Sequence, residues 1–351
     1  VYVDGTNGSD TNPGTANEPK ATINAALEAA TEAVHVAAGE YVVDHQSYIS
    51  LKTGVALRGG FCPGDWSDRA YFTPLDREDP EYQTMIRYDS TVSGTPSDPS
   101  CPVRASGSDI GRNTVVEGFV IQAMNQRGDS TSNSNVGVFV TSAASPTIRN
   151  NTIRSSRTGI QGSGILNPVT EATPLITNNL VHVDALDAYG TGVVMGVESN
   201  PDIIANTIVV NSNIDVIHGF KYDDSCDGTI RNNVVQLNDT AWTLVDVGMV
   251  GVGLNIQNDP LIQNNTFVFT ADYAQTLTES ANGYVTGIDM EGEAVPNQPT
   301  IENNIMSVTF PLEPQTGGAI TAIRAGATLD NTVRNNLFQG FQYPLFDGGG
   351  F

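Results

Sequence analysis

PTIRNNTI at Pro146–Ile153 returns along the chain as PLITNNLV (Pro174–Val181), PDIIANTI (Pro201–Ile208) and GTIRNNVV (Gly228–Val235). It comes back again as PLIQNNTF (Pro260–Phe267), PTIENNIM (Pro299–Met306) and NTVRNNLF (Asn331–Phe338). Aligned on the second Asn, the copies fall at Asn151, Asn179, Asn206, Asn233, Asn265, Asn304 and Asn336, with gaps of 28, 27, 27, 32, 39 and 32 residues. Repeats at this period mark a solenoid, in which each unit covers only its neighbours. Three positions before the Asn stand Ile148, Ile176, Ile203, Ile230, Ile262, Ile301 and Val333; two after it stand Ile153, Val181, Ile208, Val235, Phe267, Met306 and Phe338. Apolar residues on both sides of a tight bend must share one core, so each copy reads as strand, corner, strand. A coil of this length holds short strands and turns, and no copy carries the long helical pattern of leucine-rich or paired-helix repeats. The expected fold is all-β: a right-handed parallel β-helix.

The corner explains the asparagines. Asn tolerates the left-handed backbone region better than other residues with a Cβ, and Gly39, Gly60 and Gly118 are expected to serve earlier coils in the same way. Stacked at the strand spacing of about 4.8 Å, the amides should bond to one another along a ladder, a structural role rather than a catalytic one. The longer gaps read as insertions at one turn, roughly Leu237–Val247, Thr270–Gly283 and Pro311–Gly317.

The whole chain, 1–351, reads as one elongated domain: residues 1–38 an opening strand and capping helix, 62–103 loop insertions, and 113–338 regular coils. Ile23, Ala26, Leu27 and Ala30 are helically spaced, which predicts a short amphipathic helix over Ala21–Ala30 lying across the first coil. The opening VYVDGTNGSDTNPGTANEPKATINAALEAA, followed by VHVAAGEYV, resembles that of secreted bacterial β-helix proteins. Similar openings occur in polymorphic outer-membrane proteins and a related surface-protein family of unknown function. That resemblance implies an extracellular or bacterial cell-surface location. The absence of an initiator Met, a signal peptide and a membrane-length apolar run suggests a processed secreted form. Cys62 and Cys101 bracket polar, Pro-rich sequence and are expected to form a disulfide, with two free thiols as the alternative; Cys226 reads as an inert buried thiol. The closing DGGGF is not a cap, which suggests continuation of the chain or cover by another molecule.

The net charge of −23, with 16 basic against 39 acidic residues, argues against nucleic acid and anionic lipid as partners. No membrane insertion is expected. Acid-rich surfaces suit divalent cations or cationic partners, although solubility alone accounts for them.

β-Helices of this class are associated with polysaccharide lyases and hydrolases working along the outside of the coils, an analogy of fold alone. The parts such enzymes need are a cationic base with calcium-binding carboxylates, or a close Asp pair. HGFKYDDSCDG at His218–Gly228 comes nearest: Lys221, Asp223 and Asp224, with Arg231 beyond, are the catalytic candidates if the protein is an enzyme. Asp223 to Cys226 resembles one polygalacturonase motif, but no Asn-Thr-Asp, Gly-His-Gly or Arg-x-Lys accompanies it. As a hydrolase signature this is weak, and a solvated polar turn is the favoured reading of these residues. In YVTGIDMEGE, Asp289 and Glu291 alternate with Ile288 and Met290, so both carboxylates should share an outer strand face, where calcium is the cofactor they could hold. Asp4, Asn7, Asp10 and Asn12 form another acidic run without EF-hand spacing. The four His residues lack metal-ligand spacing.

Two functions follow. The uniform repeat, acidic surface and incomplete catalytic set favour a non-catalytic extracellular scaffold: an adhesive or filament-forming surface protein that associates as a homo-oligomer or end to end. The alternative is a polysaccharide-active lyase or glycoside hydrolase, or a relative that only binds sugar.

Overall fold

The computed structural model describes residues 1–69, 81–89, 100–124, 135–163, 170–185, 189–212, 216–239, 248–271, 284–290, 297–309, 319–325, 332–344 and 346–347. The described strands gather into three sheets of 12, 10 and 10 strands. Among the described strands every pairing is parallel except one hairpin, in which Asp65–Arg69 runs back along Ala56–Cys62. One coil takes a strand from each sheet in turn. Thr147–Arg149 lies in the first sheet, Thr152–Ser155 in the second and Thr158–Ser163 in the third. The next coil stacks Leu175–Thr177, Leu180–Ala185 and Gly190–Gly196 on them in register. Parallel crossovers of this kind wind right-handed. The molecule is a right-handed parallel β-helix, as the repeat predicts.

Strand alternation sends one file of side chains inward from each sheet. Ile148, Ile176, Ile203 and Ile230 line the first, Ile153, Val181, Ile208 and Val235 the second, and Ile160, Val193, Phe220 and Val252 the third, all 0–1% exposed. In the third sheet a second file points inward with no side chain at all. A Cβ on Gly159 would sit 2.2 Å from Val181 Cγ1, and one on Gly192 would sit 2.4 Å from Ile208 Cγ2 and 2.7 Å from the Gly219 oxygen. Gly137, Gly219, Gly251 and Gly287 repeat this close approach, which lets second-sheet side chains pack directly on third-sheet backbone.

The helix spans Ile23–Ala29 and buries Ile23, Ala26 and Leu27. Thr22 caps it by accepting from the Ala25 N–H, and Asp10 steadies the cap through Ala21 N, Thr22 N and Thr22 Oγ1. It packs on the opening strands, where a solenoid end needs cover.

Two expectations need correction. The stretch 62–103 contains strand Thr84–Tyr88, which pairs within the second sheet, as well as the Asp65–Arg69 hairpin. The Cys62–Cys101 disulfide is not formed. Cys62 lies near Glu81 and Cys101 near Tyr88, at opposite ends of Thr84–Tyr88. A strand of that length spans roughly 13 Å, beyond the reach of a disulfide. Cys226 is buried as expected, and burial pushes its thiol up to about 11. The predicted insertions all fall between second-sheet and third-sheet strands, but strands persist to Asp239 and Ala271. Residues 240–247, 272–283 and 310–318 lie outside the described set.

Candidate functional site

The third sheet has the longest strands and carries the strongest candidates. Register places Lys221, Gly253, Asp289 and Arg324 in one outward file, and His218, Val250, Thr286 and Thr321 in another. The edge of the His218 ring lies over Gly253, 3.1 Å from where a Cβ would stand. Burial, with the Lys221 ammonium nearby, lowers its pKa to about 4, so the imidazole is neutral at pH 7. Lys221 Nζ stands 3.3 Å from Asp223 Oδ1, which also accepts from Asn255 Nδ2 at 3.1 Å. Asp224 turns to the neighbouring Ser225 hydroxyl, 2.9 Å away. A neutral imidazole beside an ammonium–carboxylate pair could shuttle a proton.

The remaining candidates do not complete that site. Asp289 is 3% exposed and holds Arg324 of the next coil through both carboxylate oxygens, Nε to Oδ1 at 2.7 Å and Nη2 to Oδ2. The Arg324 guanidinium also lies 5.4 Å from the centre of the Tyr284 ring. Asp289 therefore faces a cation already present in the chain, and Glu291 lies outside the described residues. Arg231 is on another face: it is exposed on the first sheet, between Ile204 and Gln263 in register. Sequence proximity to Lys221 misleads because a corner intervenes.

The acidic run near the start is used in turns. Against the cost of burial, hydrogen bonds from Asn7 and Thr6 hold the Asp4 carboxyl below the ordinary range, and Asp10 serves the helix cap. Among the described residues no group of three or more His, Cys, Asp or Glu is gathered for a metal. No described helix is long and apolar enough to cross a membrane.

The asparagine ladder forms, with its two members in divided roles. The second Asn is buried in every copy but the last, where Asn336 is half-buried. Asn206, for example, donates from N and Nδ2 to Asn233 Oδ1 at 2.8 and 3.1 Å, and from Nδ2 to the Ile176 oxygen at 2.9 Å. It accepts from Asn179 N and Nδ2, both at 3.0 Å. The left-handed residue is the first of each pair: Asn150, Asn178, Asn232, Asn264, Asn303 and Asn335, with Ala205 in the remaining coil, all with φ between 52° and 57°. Gly60 and Gly118 have positive φ, at 86° and 83°, as expected of the early corners.

Sequence reading missed a second ladder where the third sheet turns into the first. Cys226 N donates to Asn258 Oδ1, and Asn258 N to Asn297 Oδ1, each at 2.8 Å. Beside it runs an exposed chain in which Asp227 N reaches Asn200 Oδ1, Asp259 N reaches Asp227 Oδ1 and Gln298 N reaches Asp259 Oδ1. The available signal was a polar residue directly before Pro or Gly, as in Asn200-Pro201, Asp227-Gly228, Asp259-Pro260 and Gln298-Pro299.

Fold and faces together define a parallel β-helix in which several arginines, Arg58, Arg87, Arg149, Arg324 and Arg334 among them, pair with carboxylates of neighbouring coils. Residues 6–241 match the family described as Protein of unknown function (DUF1565), and the chain belongs to that family. Among solved structures it is similar to the A-module of mannuronan C-5 epimerase AlgE4 from Azotobacter vinelandii, at 16% identity, with 98% of this chain and 97% of that chain covered and a TM-score of 0.40. A likeness of that size carries no argument about activity. No curated protein matches the chain.

Proposed function

We propose that this protein is a non-catalytic scaffold of the extracellular space or a bacterial cell surface, whose stacked coils hold binding faces in register. The observation that carries the reading is the use of the acid–base candidates. Lys221 is paired with Asp223, Asp289 with Arg324, and Glu117 with Arg58, Arg69 and Arg149. The Asp289–Arg324 pair and the Glu117 cluster tie neighbouring coils together, and Lys221 and Asp223 hold each other along one strand, instead of waiting for a substrate. Another copy of the chain, as a homo-oligomer or filament, and a polysaccharide are the partners this role implies.

The test is turnover. The protein, with and without calcium, is incubated with polygalacturonate, alginate and neutral glucans while new double bonds and reducing ends are followed. The scaffold reading predicts neither product. Turnover that Lys221→Ala abolishes without lowering the melting temperature would overturn it. That result would favour the second reading, a polysaccharide-active enzyme, whose support is neutral His218 beside the Lys221–Asp223 pair.

A further inference from the structure

We propose that the corner between the first and second sheets is a lane for an acidic polysaccharide. The last outward file of the first sheet runs Arg58, Glu117, Arg149, Thr177, Ile204, Arg231 and onward through Gln263 and Glu302 to Arg334. Arg149, Arg231 and Arg334 are each three coils apart, about 14 Å at the spacing of stacked strands. Arg69 reaches into the same file from the hairpin, to Glu117. Among the described residues, five arginines thus meet two carboxylates in this file, on a chain whose net charge is −23.

Both carboxylates are already committed. Glu117 is shared by Arg58, Arg69 and Arg149, and Glu302 holds Arg334. Arg149 and Arg334 remain 41% and 62% exposed in their side chains, and a guanidinium has more N–H donors than one carboxylate takes up. Arg231 is exposed and has no side-chain partner among the described residues.

The adjoining positions suit the same ligand. Each left-handed corner residue follows the arginine file directly and points away from the core. Asn178, Asn232, Asn264, Asn303 and Asn335 are exposed, which sets amides at coil spacing beside the arginines. The first outward file of the second sheet, from Thr207 through Val234, Thr266 and Ile305 to Leu337, adds no charge. Amides both donate to and accept from hydroxyls, and guanidinium matches carboxylate with paired N–H bonds.

An extended glycan that carries many hydroxyls and spaced carboxylates fits this pattern. A nucleic acid fits less well, because its dense phosphates would meet few cations and the field of the whole acidic chain. The inference goes beyond the scaffold reading, since binding and turnover are measured separately.

The experiment is titration of the protein at low salt with polygalacturonate, neutral dextran and duplex DNA. Arg231→Glu is compared with Lys20→Glu, which changes the net charge equally but lies outside the lane. Arg231→Gln serves if the Glu variant fails to fold. The lane predicts that polygalacturonate binds, dextran binds far more weakly, and Arg231→Glu weakens polygalacturonate about tenfold, the loss expected for one charge-assisted contact. Lys20→Glu should match the unaltered protein. Absence of polygalacturonate binding, equal losses in the two variants, or DNA bound as tightly with the same dependence on Arg231 would overturn the proposal.

Discussion

Two files run along this β-helix, and they hold it together by opposite means. At the first corner, buried asparagines fill the turn and bond to the coils above and below. In the third sheet, glycines leave a gap that the isoleucines and valines of the second sheet occupy. One file acts through what its side chains do, the other through their absence. Both recur coil after coil, because each coil must meet its neighbours in the same place.

The glycine file should be the harder to alter. Gly192→Ala forces a methyl into Ile208 and the Gly219 oxygen, and a clash with backbone on one side has nowhere to relax. We expect a loss of about 3 kcal/mol in unfolding free energy, read by denaturant titration. A loss below 1 kcal/mol, on the order of a surface change, would mean that the coils yield at this point. Asn206→Ala comes next. It strands the Asn179 donors and the Ile176 oxygen in the core, and should cost about 2 kcal/mol in the same titration.

The outer faces add an effect that depends on pH. The folded-state pKa of His218 is lowered to about 4, so as pH falls below its ordinary 6.5 the unfolded chain takes up a proton before the folded one. The stability His218 supplies is complete above that value and is lost between about 6.5 and 4. The melting temperature of His218→Gln should therefore fall less than that of the unaltered protein over the same range. Parallel curves would place the imidazole in open solvent. Smallest of all is Ala205→Asn, at a left-handed φ of 57° where the other described copies of the repeat use Asn. It should gain about 0.5 kcal/mol, and any loss would show that the corners are not interchangeable.

The comparison also explains what could be read from the sequence. The Asn–Asn corner was legible because both residues and the flanking aliphatics recur together. Which Asn turns inward was not, since adjacent identical residues look alike until φ separates Asn232 from Asn233. The glycine file was present in VGVFV, TGIQG and IHGFK, but a lone Gly in a strand has several ordinary explanations. Asp289 read as a metal ligand because its partner, Arg324, lies 35 residues away and becomes a neighbour only through stacking. Arg231 was grouped with Lys221 for the converse reason, as ten residues of chain carry it around a corner. Periodic features survive in a linear reading, while pairings across coils emerge only when the register is known.

The central claim, that the acid–base candidates of the third sheet are held in pairs within the protein, is tested most directly at Asp289 and Arg324. Unfolding free energies of Asp289→Asn, Arg324→Gln and the double variant give their coupling energy. The account predicts a favourable coupling of at least about 1 kcal/mol, as expected of a shielded, two-point ion pair. A coupling near zero would contradict it and return Asp289 to the list of groups available for chemistry.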